Sequence, residues 1–125
     1  MRIGRYAEGK GGIYAGVVRM EDGDYHLFVA EVGTKRDVIW KNAMAWAQGV
    51  SIDGHSDFAL PTRKQAALLY ANLQDGFEDR WWWTSELYPP DEKCAWVQTM
   101  GYGRQADARL TDACRACAVR VERVE

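Results

Sequence analysis

The sequence has no stretch approaching the ~18 consecutive apolar residues needed to cross a membrane, so no membrane insertion is expected. It has no excess of basic charge either: 16 Lys and Arg against 18 Asp and Glu leave a formal net charge of -2. Duplex binders usually carry a basic face, so no nucleic acid is expected as a partner. Cysteine is scarce and odd in number, with Cys94, Cys114 and Cys117 alone, which argues against a disulfide framework. The opening Met1-Arg2-Ile3-Gly4-Arg5 has charge but no apolar run behind it, unlike a secretory signal. The expected location is therefore a cytoplasm, or a particle released from it by lysis.

What remains is a globular balance. The 125 residues suit one domain, 1–125, and 47% hydrophobic with 27% charged residues argues against disorder. Six Trp and six Tyr are many for this length; large aromatics build cores and also ligand surfaces.

Two β-rich runs, Ile13–Met20 and Tyr25–Val32, flank the turn Glu21-Asp22-Gly23-Asp24 and predict a β-hairpin. In the second run Tyr25, Leu27 and Val29 alternate with Phe28, Ala30 and Val32, so both of its faces should be covered. A helix is expected over Val38–Gln48, with Trp40, Ala43, Met44 and Ala47 as its buried stripe and Gly49 ending it. Ser51–Asp57 reads as a polar loop. A second helix follows Leu60-Pro61-Thr62: Thr62 and Gln65 have capping-box spacing, and Ala66, Leu69, Tyr70 and Leu73 form the stripe before Asp75-Gly76. Beyond it lie short strands: Trp81–Glu86, Cys94–Met100, the Gly101-Tyr102-Gly103 turn, an Arg- and Asp-rich loop, and a last strand over Ala116–Val124. Hairpin, two helices and a strand-rich C-terminal half indicate an α+β fold.

Several segments resemble a known family. They are Trp40 with Ala43, Asp57-Phe58-Ala59-Leu60-Pro61-Thr62, Trp82-Trp83-Thr84-Ser85-Glu86, Ala95-Trp96-Val97, Met100-Gly101-Tyr102-Gly103-Arg104-Gln105, and Ala118-Val119-Arg120-Val121-Glu122-Arg123. In this order, across residues 38 to 124, they resemble a phage and prophage domain-of-unknown-function family that includes the C-terminal domain of the Legionella collagen-like adhesin. Gly11-Gly12-Ile13-Tyr14-Ala15-Gly16 resembles the opening of its short stand-alone members. The family's terminal Phe of the A-W-x-x-x-F strand is missing, with Met100 near its place. The resemblance implies a C-type-lectin-like fold: a two-helix scaffold displaying a variable C-terminal surface.

Few residues suggest chemistry. Cys114-x-x-Cys117 has a spacing found in metal and redox sites, but zinc needs four ligands and the pair leads into a strand, so buried or incidental thiols are expected. The related formylglycine-generating enzymes use a cysteine pair, which leaves an oxidase as the enzymatic alternative. His26 lies among strand residues and His55 between Asp53 and Asp57 in a loop; an edge histidine and a solvated loop are the expectations, against an acid–base role. Gly9-Lys10-Gly11-Gly12 lacks the phosphate-cradle pattern. No cofactor and no metal are expected.

Two groups suggest recognition. Trp81-Trp82-Trp83 in an extended segment sends Trp82 to one side and its neighbours to the other, so all three are core or one side is an exposed platform. Tyr102, Arg104, Gln105, Asp107, Arg109, Asp112 and Arg115 follow no apolar period and form either a solvated hairpin or a contact surface. The expected ligand-binding residues are Trp81, Trp83, Tyr88, Tyr102, Arg104, Asp107 and Arg109, in a non-enzymatic protein that binds a host or phage protein or a surface glycan. An intracellular phage-encoded inhibitor of a host system, of the anti-CRISPR type, is the alternative.

Overall fold

A computed structural model describes residues 1–125. The fold is α+β, with seven strands in two antiparallel sheets and two helices.

The hairpin forms where the turn signal lies. Strands β2 (Gly12–Met20) and β3 (Gly23–Val29) pair from Met20↔Gly23 to Ile13↔Val29. The short β1 (Tyr6–Ala7) adds to the outer edge of β2. An irregularity between Tyr14 and Gly16 inserts one residue, and the Asn72 side-chain amide donates to the carbonyl of Ala15 there at 2.7 Å. The second strand stops at Val29, three residues short of the expected Val32, which is exposed. The chain turns away because Gly33 passes the main chain of Ala116 so closely that a Cβ would lie 2.6 Å from its carbonyl oxygen. Leu27 and Phe28, on opposite faces of β3, are both fully buried, as the two-sided apolar pattern requires.

Helix α1 spans Trp40–Gln48, with Ala43 and Ala47 buried. It starts two residues later than expected, because Val38 exchanges backbone hydrogen bonds with Cys114. Helix α2 spans Arg63–Leu73 behind a complete capping box: the Gln65 N–H donates to Thr62 Oγ1 at 3.1 Å, and the Thr62 N–H donates to Gln65 Oε1 at 2.9 Å. A single 3-10 turn, Gln74–Gly76, follows.

The C-terminal half divides between the sheets. Strands β4 (Trp81–Leu87), β5 (Cys94–Thr99) and β6 (Gln105–Arg109) form a three-stranded sheet. Strand β7 (Val119–Arg123) returns beside β3, giving the order β1-β2-β3-β7. Strand β6 corrects the expected Arg/Asp-rich loop: its Ala106 and Ala108 pack inward while Gln105, Asp107 and Arg109 point away. The last strand is also shorter than expected, since Ala116–Ala118 are buried but not laddered into the sheet.

Two apolar clusters flank β4. Trp83 joins Ala43, Ala47, Phe58 and Leu60 on one side; Trp82 joins Leu27, Val29, Leu69 and Met100 on the other. Arg120 closes the far face of the four-stranded sheet. Its guanidinium, 5% exposed, donates to Asp57 Oδ1 at 2.8 Å, Glu122 Oε2 at 2.7 Å and the Lys10 carbonyl at 2.9 Å, above the ring of Phe28. This one side chain ties the N-terminal loop and the 51–57 loop to β7.

Candidate functional site

Register decides which residues share a face. Trp82 pairs with Gln98, Gln98 with Gln105, Trp96 with Asp107, and Cys94 with Arg109. Directly paired residues point to the same side of a sheet, so Trp96, Asp107 and Arg109 lie on one face of β4–β5–β6. Helix α2 covers the Trp82–Gln98 end of that face and reaches Trp96 only through the side chain of its first residue, Arg63. Tyr88, just past β4, meets Trp96 edge-on with ring centroids 4.9 Å apart.

A ladder of amides holds the floor of this face. Gln98 Nε2 donates to the carbonyl of Ala66 at 2.6 Å. Gln105 Nε2 donates to Gln98 Oε1 at 2.9 Å and to the Arg63 carbonyl at 2.8 Å. Arg63 Nε donates to Gln105 Oε1 at 2.9 Å, and its guanidinium carbon sits 3.6 Å from the Trp96 ring centroid. At that range the cation is attracted by the ring's π face, and the hydrogen bond at Nε fixes its orientation. Glu86 does not neutralise it, because that carboxylate accepts from the backbone N–H of Arg63 instead, at 2.7 Å.

The β5–β6 turn carries Tyr102 and Arg104. Gly103, at φ +75°, lies against Tyr70 so closely that a Cβ would be 2.6 Å from its ring, and Gln74 Nε2 donates to the Gly101 carbonyl at 2.9 Å. The tip is thus pinned to α2 and the 3-10 turn behind it while Tyr102 stays 62% exposed. At ~3.3 Å per residue, the five steps from Arg104 to Arg109 spread the surface over roughly 16 Å. A hollow of about 630 Å³ opens beside Arg109, walled by Leu87, Lys93 and Leu110. The side chains of Arg104, Asp107 and Arg109 enter none of the molecule's eight ion pairs, whereas Arg80, Arg115, Arg120 and Arg123 all do.

The structure brings together Tyr88, Asp107 and Arg109 on this face, with Tyr102 and Arg104 at its end. It does not bring Trp83 or Trp81. Trp83 is fully buried and its indole N–H donates to the Val38 carbonyl at 2.7 Å, so its ring cannot reach a ligand. Trp81 is 36% exposed but points to the opposite side of the sheet, beside Asp37, Asp79 and Arg80. The alternation that separates Trp82 from its neighbours holds; both sides of β4 are core over Trp82–Thr84, and the strand is exposed at Trp81 and again at Glu86 and Leu87. Trp96 and Arg63 escaped the sequence reading. The signal for Trp96 was its place across the tight Gly-x-Gly turn from Asp107; nothing local marked Arg63 as its stacking partner.

The remaining polar candidates are absorbed by structure. The Tyr14 hydroxyl meets His26 Nδ1 at 2.8 Å, His55 Nε2 meets the Gly9 carbonyl at 2.8 Å, and Asp53 Oδ2 accepts from Tyr6 at 2.6 Å and from the Gly11 N–H at 3.0 Å. His55 therefore pairs with neither of its neighbouring carboxylates. Cys94, Cys114 and Cys117 are all buried and unbridged. Burial pushes the Cys114 and Cys117 thiols up to about 12, far from the thiolate that nucleophilic chemistry uses. No group of three or more His, Cys, Asp or Glu side chains is placed to hold a metal ion. No protein-family model and no curated protein matches the chain, and the case for the site rests on its geometry.

Proposed function

We propose that the chain is a non-enzymatic recognition domain of C-type-lectin-like arrangement, binding a protein or glycan on the exposed face of β4–β5–β6 and its β5–β6 tip. The observation that carries this reading is the contrast between floor and surface. The Gln98–Gln105–Arg63 ladder and the Arg63–Trp96 stack make a rigid base, while Arg104, Asp107 and Arg109 above it have no ion-pair partner within the chain. Unpaired, directional groups beside aromatics on a rigid element are what a binding surface requires. The deep, protonated thiols support binding over the oxidase alternative. Residues 38 to 124, which resemble the phage and prophage family, contain the whole face. That supports a setting on a virion or inside a bacterial host, with a host protein or surface glycan as the partner.

The test is a pull-down from bacterial lysate together with a glycan array, using wild type and the Tyr102→Ala/Arg104→Ala/Arg109→Ala protein side by side. The proposal expects ligands held by wild type and lost by the triple variant. Ligands held equally by both would place the site elsewhere, with the N-terminal hairpin next to be tested.

A further inference from the structure

A cleft separate from the proposed recognition face opens where the C-terminal end of α2 leaves the four-stranded sheet. It encloses about 430 Å³, within the roughly 300–1,000 Å³ typical of small-ligand sites. Its apolar lining comes from Ile13, Val29, Leu73, Phe77, Trp82 and Cys117, and none of its walls comes from β5 or β6.

The walls are fixed. The Trp82 indole N–H donates to the Glu78 carbonyl at 3.1 Å, and Phe77 stands edge-on to Trp82 at 87° with centroids 5.2 Å apart. Neither ring can swing in to fill the space without losing that contact. Gly33 belongs to the same wall, and a Cβ there would lie 3.2 Å from the Trp82 ring as well as against Ala116.

Charge selects the occupant. Among the lining residues only Glu31 and Asp75 are charged, and both are acidic and exposed. Neither is neutralised within the chain, since neither enters an ion pair. An aromatic-walled cavity with two unpaired carboxylates attracts a cation attached to an apolar body and repels an anion of the same shape.

We infer that this cleft is a binding site for a small aromatic or aliphatic amine, its apolar part against Trp82 and Phe77 and its ammonium toward Glu31 and Asp75. The probes are 2-phenylethylammonium and 3-phenylpropionate, which share a ring and differ in the sign of the head group. Each is titrated at pH 7 into 15N-labelled protein while backbone amide shifts are recorded. Saturable shifts around Val29, Gly33, Leu73 and Cys117 are expected with the amine, with an affinity at least tenfold tighter than for the carboxylate. Both acids are exposed and unpaired, so Glu31→Gln/Asp75→Asn should keep the wild-type spectrum outside the cleft and reduce the preference to less than threefold. No saturable shift with the amine, equal binding of both probes, or a preference that survives in the double variant would each overturn the inference.

Discussion

Arg120 offers the sharpest test of how the four-stranded sheet is held. Replacing it with alanine removes a guanidinium that is 5% exposed and donates to two carboxylates and one carbonyl. A hydrogen bond to a charged group contributes roughly 1.5–3 kcal/mol. The partners retain contact with water, Asp57 at 57% and Glu122 at 28% exposed, so the low end applies to each. Two such bonds give a loss of about 3 kcal/mol, at the lower edge of the roughly 3–5 kcal/mol seen when one partner of a buried pair is removed. The Lys10 carbonyl can rehydrate and adds little. Urea unfolding followed by circular dichroism measures this directly. Asp57→Ala alone should cost about 1.5 kcal/mol, and a double-mutant cycle should show coupling of about 1.5 kcal/mol between the two positions. Arg120→Lys should fall between wild type and alanine, because the ammonium keeps the charge but not the fork that spans both carboxylates. A loss below 1 kcal/mol for Arg120→Ala, or no coupling to Asp57, would refute the view that this side chain staples both loops to β7.

Other consequences follow from the same interactions. Leu69 is fully buried in the cluster that includes Leu27, Trp82 and Met100, so Leu69→Ala should cost about 2–5 kcal/mol; an unchanged denaturation midpoint would remove it from the core. The hydrogen bond from Arg120 holds the Asp57 carboxyl below its ordinary range, and hydrogen bonds from Lys10 and then Arg120 do the same for Glu122. Groups with depressed folded values stabilise above the unfolded carboxylate value of about 4 and lose that contribution as pH falls through the folded value. The urea midpoint should therefore drop on acidification from pH 5 to 3, less steeply in Asp57→Asn/Glu122→Gln. With burial holding Cys114 and Cys117 up near 12, neither should react with a disulfide reagent at pH 8 until guanidinium unfolds the chain; prompt labelling of either in the native state would contradict the burial.

Local chemistry made much of this fold legible. The Thr62/Gln65 spacing gave the start of α2 and the Asp22-Gly23 turn gave the hairpin, because in each case a few adjacent residues satisfy one another's backbone groups. Long-range partners were hidden. Val38 falls out of α1 because Cys114, far along the chain, takes its backbone. Strand β6 was missed because its inward residues are only Ala106 and Ala108, too small to show an apolar period. Nothing in the sequence marked Arg120 as a staple, since only the fold supplies Asp57 and Lys10 to receive it. For the candidate site, the polar residues of β6 and its turn stood out in the sequence because packing does not explain them. The face they occupy depended on the register Trp96↔Asp107, which also removes Trp81 and Trp83 from it. The Arg63–Trp96 stack joins a helix start to a strand centre, a pairing no local pattern encodes.

The most direct test of the proposed recognition face is the affinity of a ligand captured by the wild-type protein, measured by calorimetry against Tyr102→Ala and Arg109→Ala, with Val17→Ala on the other sheet as the control. The account predicts a loss of about 2 kcal/mol or more, roughly thirtyfold, for at least one of the two face variants, with unchanged stability and no effect at Val17. Wild-type affinity in both face variants, or a loss confined to Val17→Ala, would contradict it.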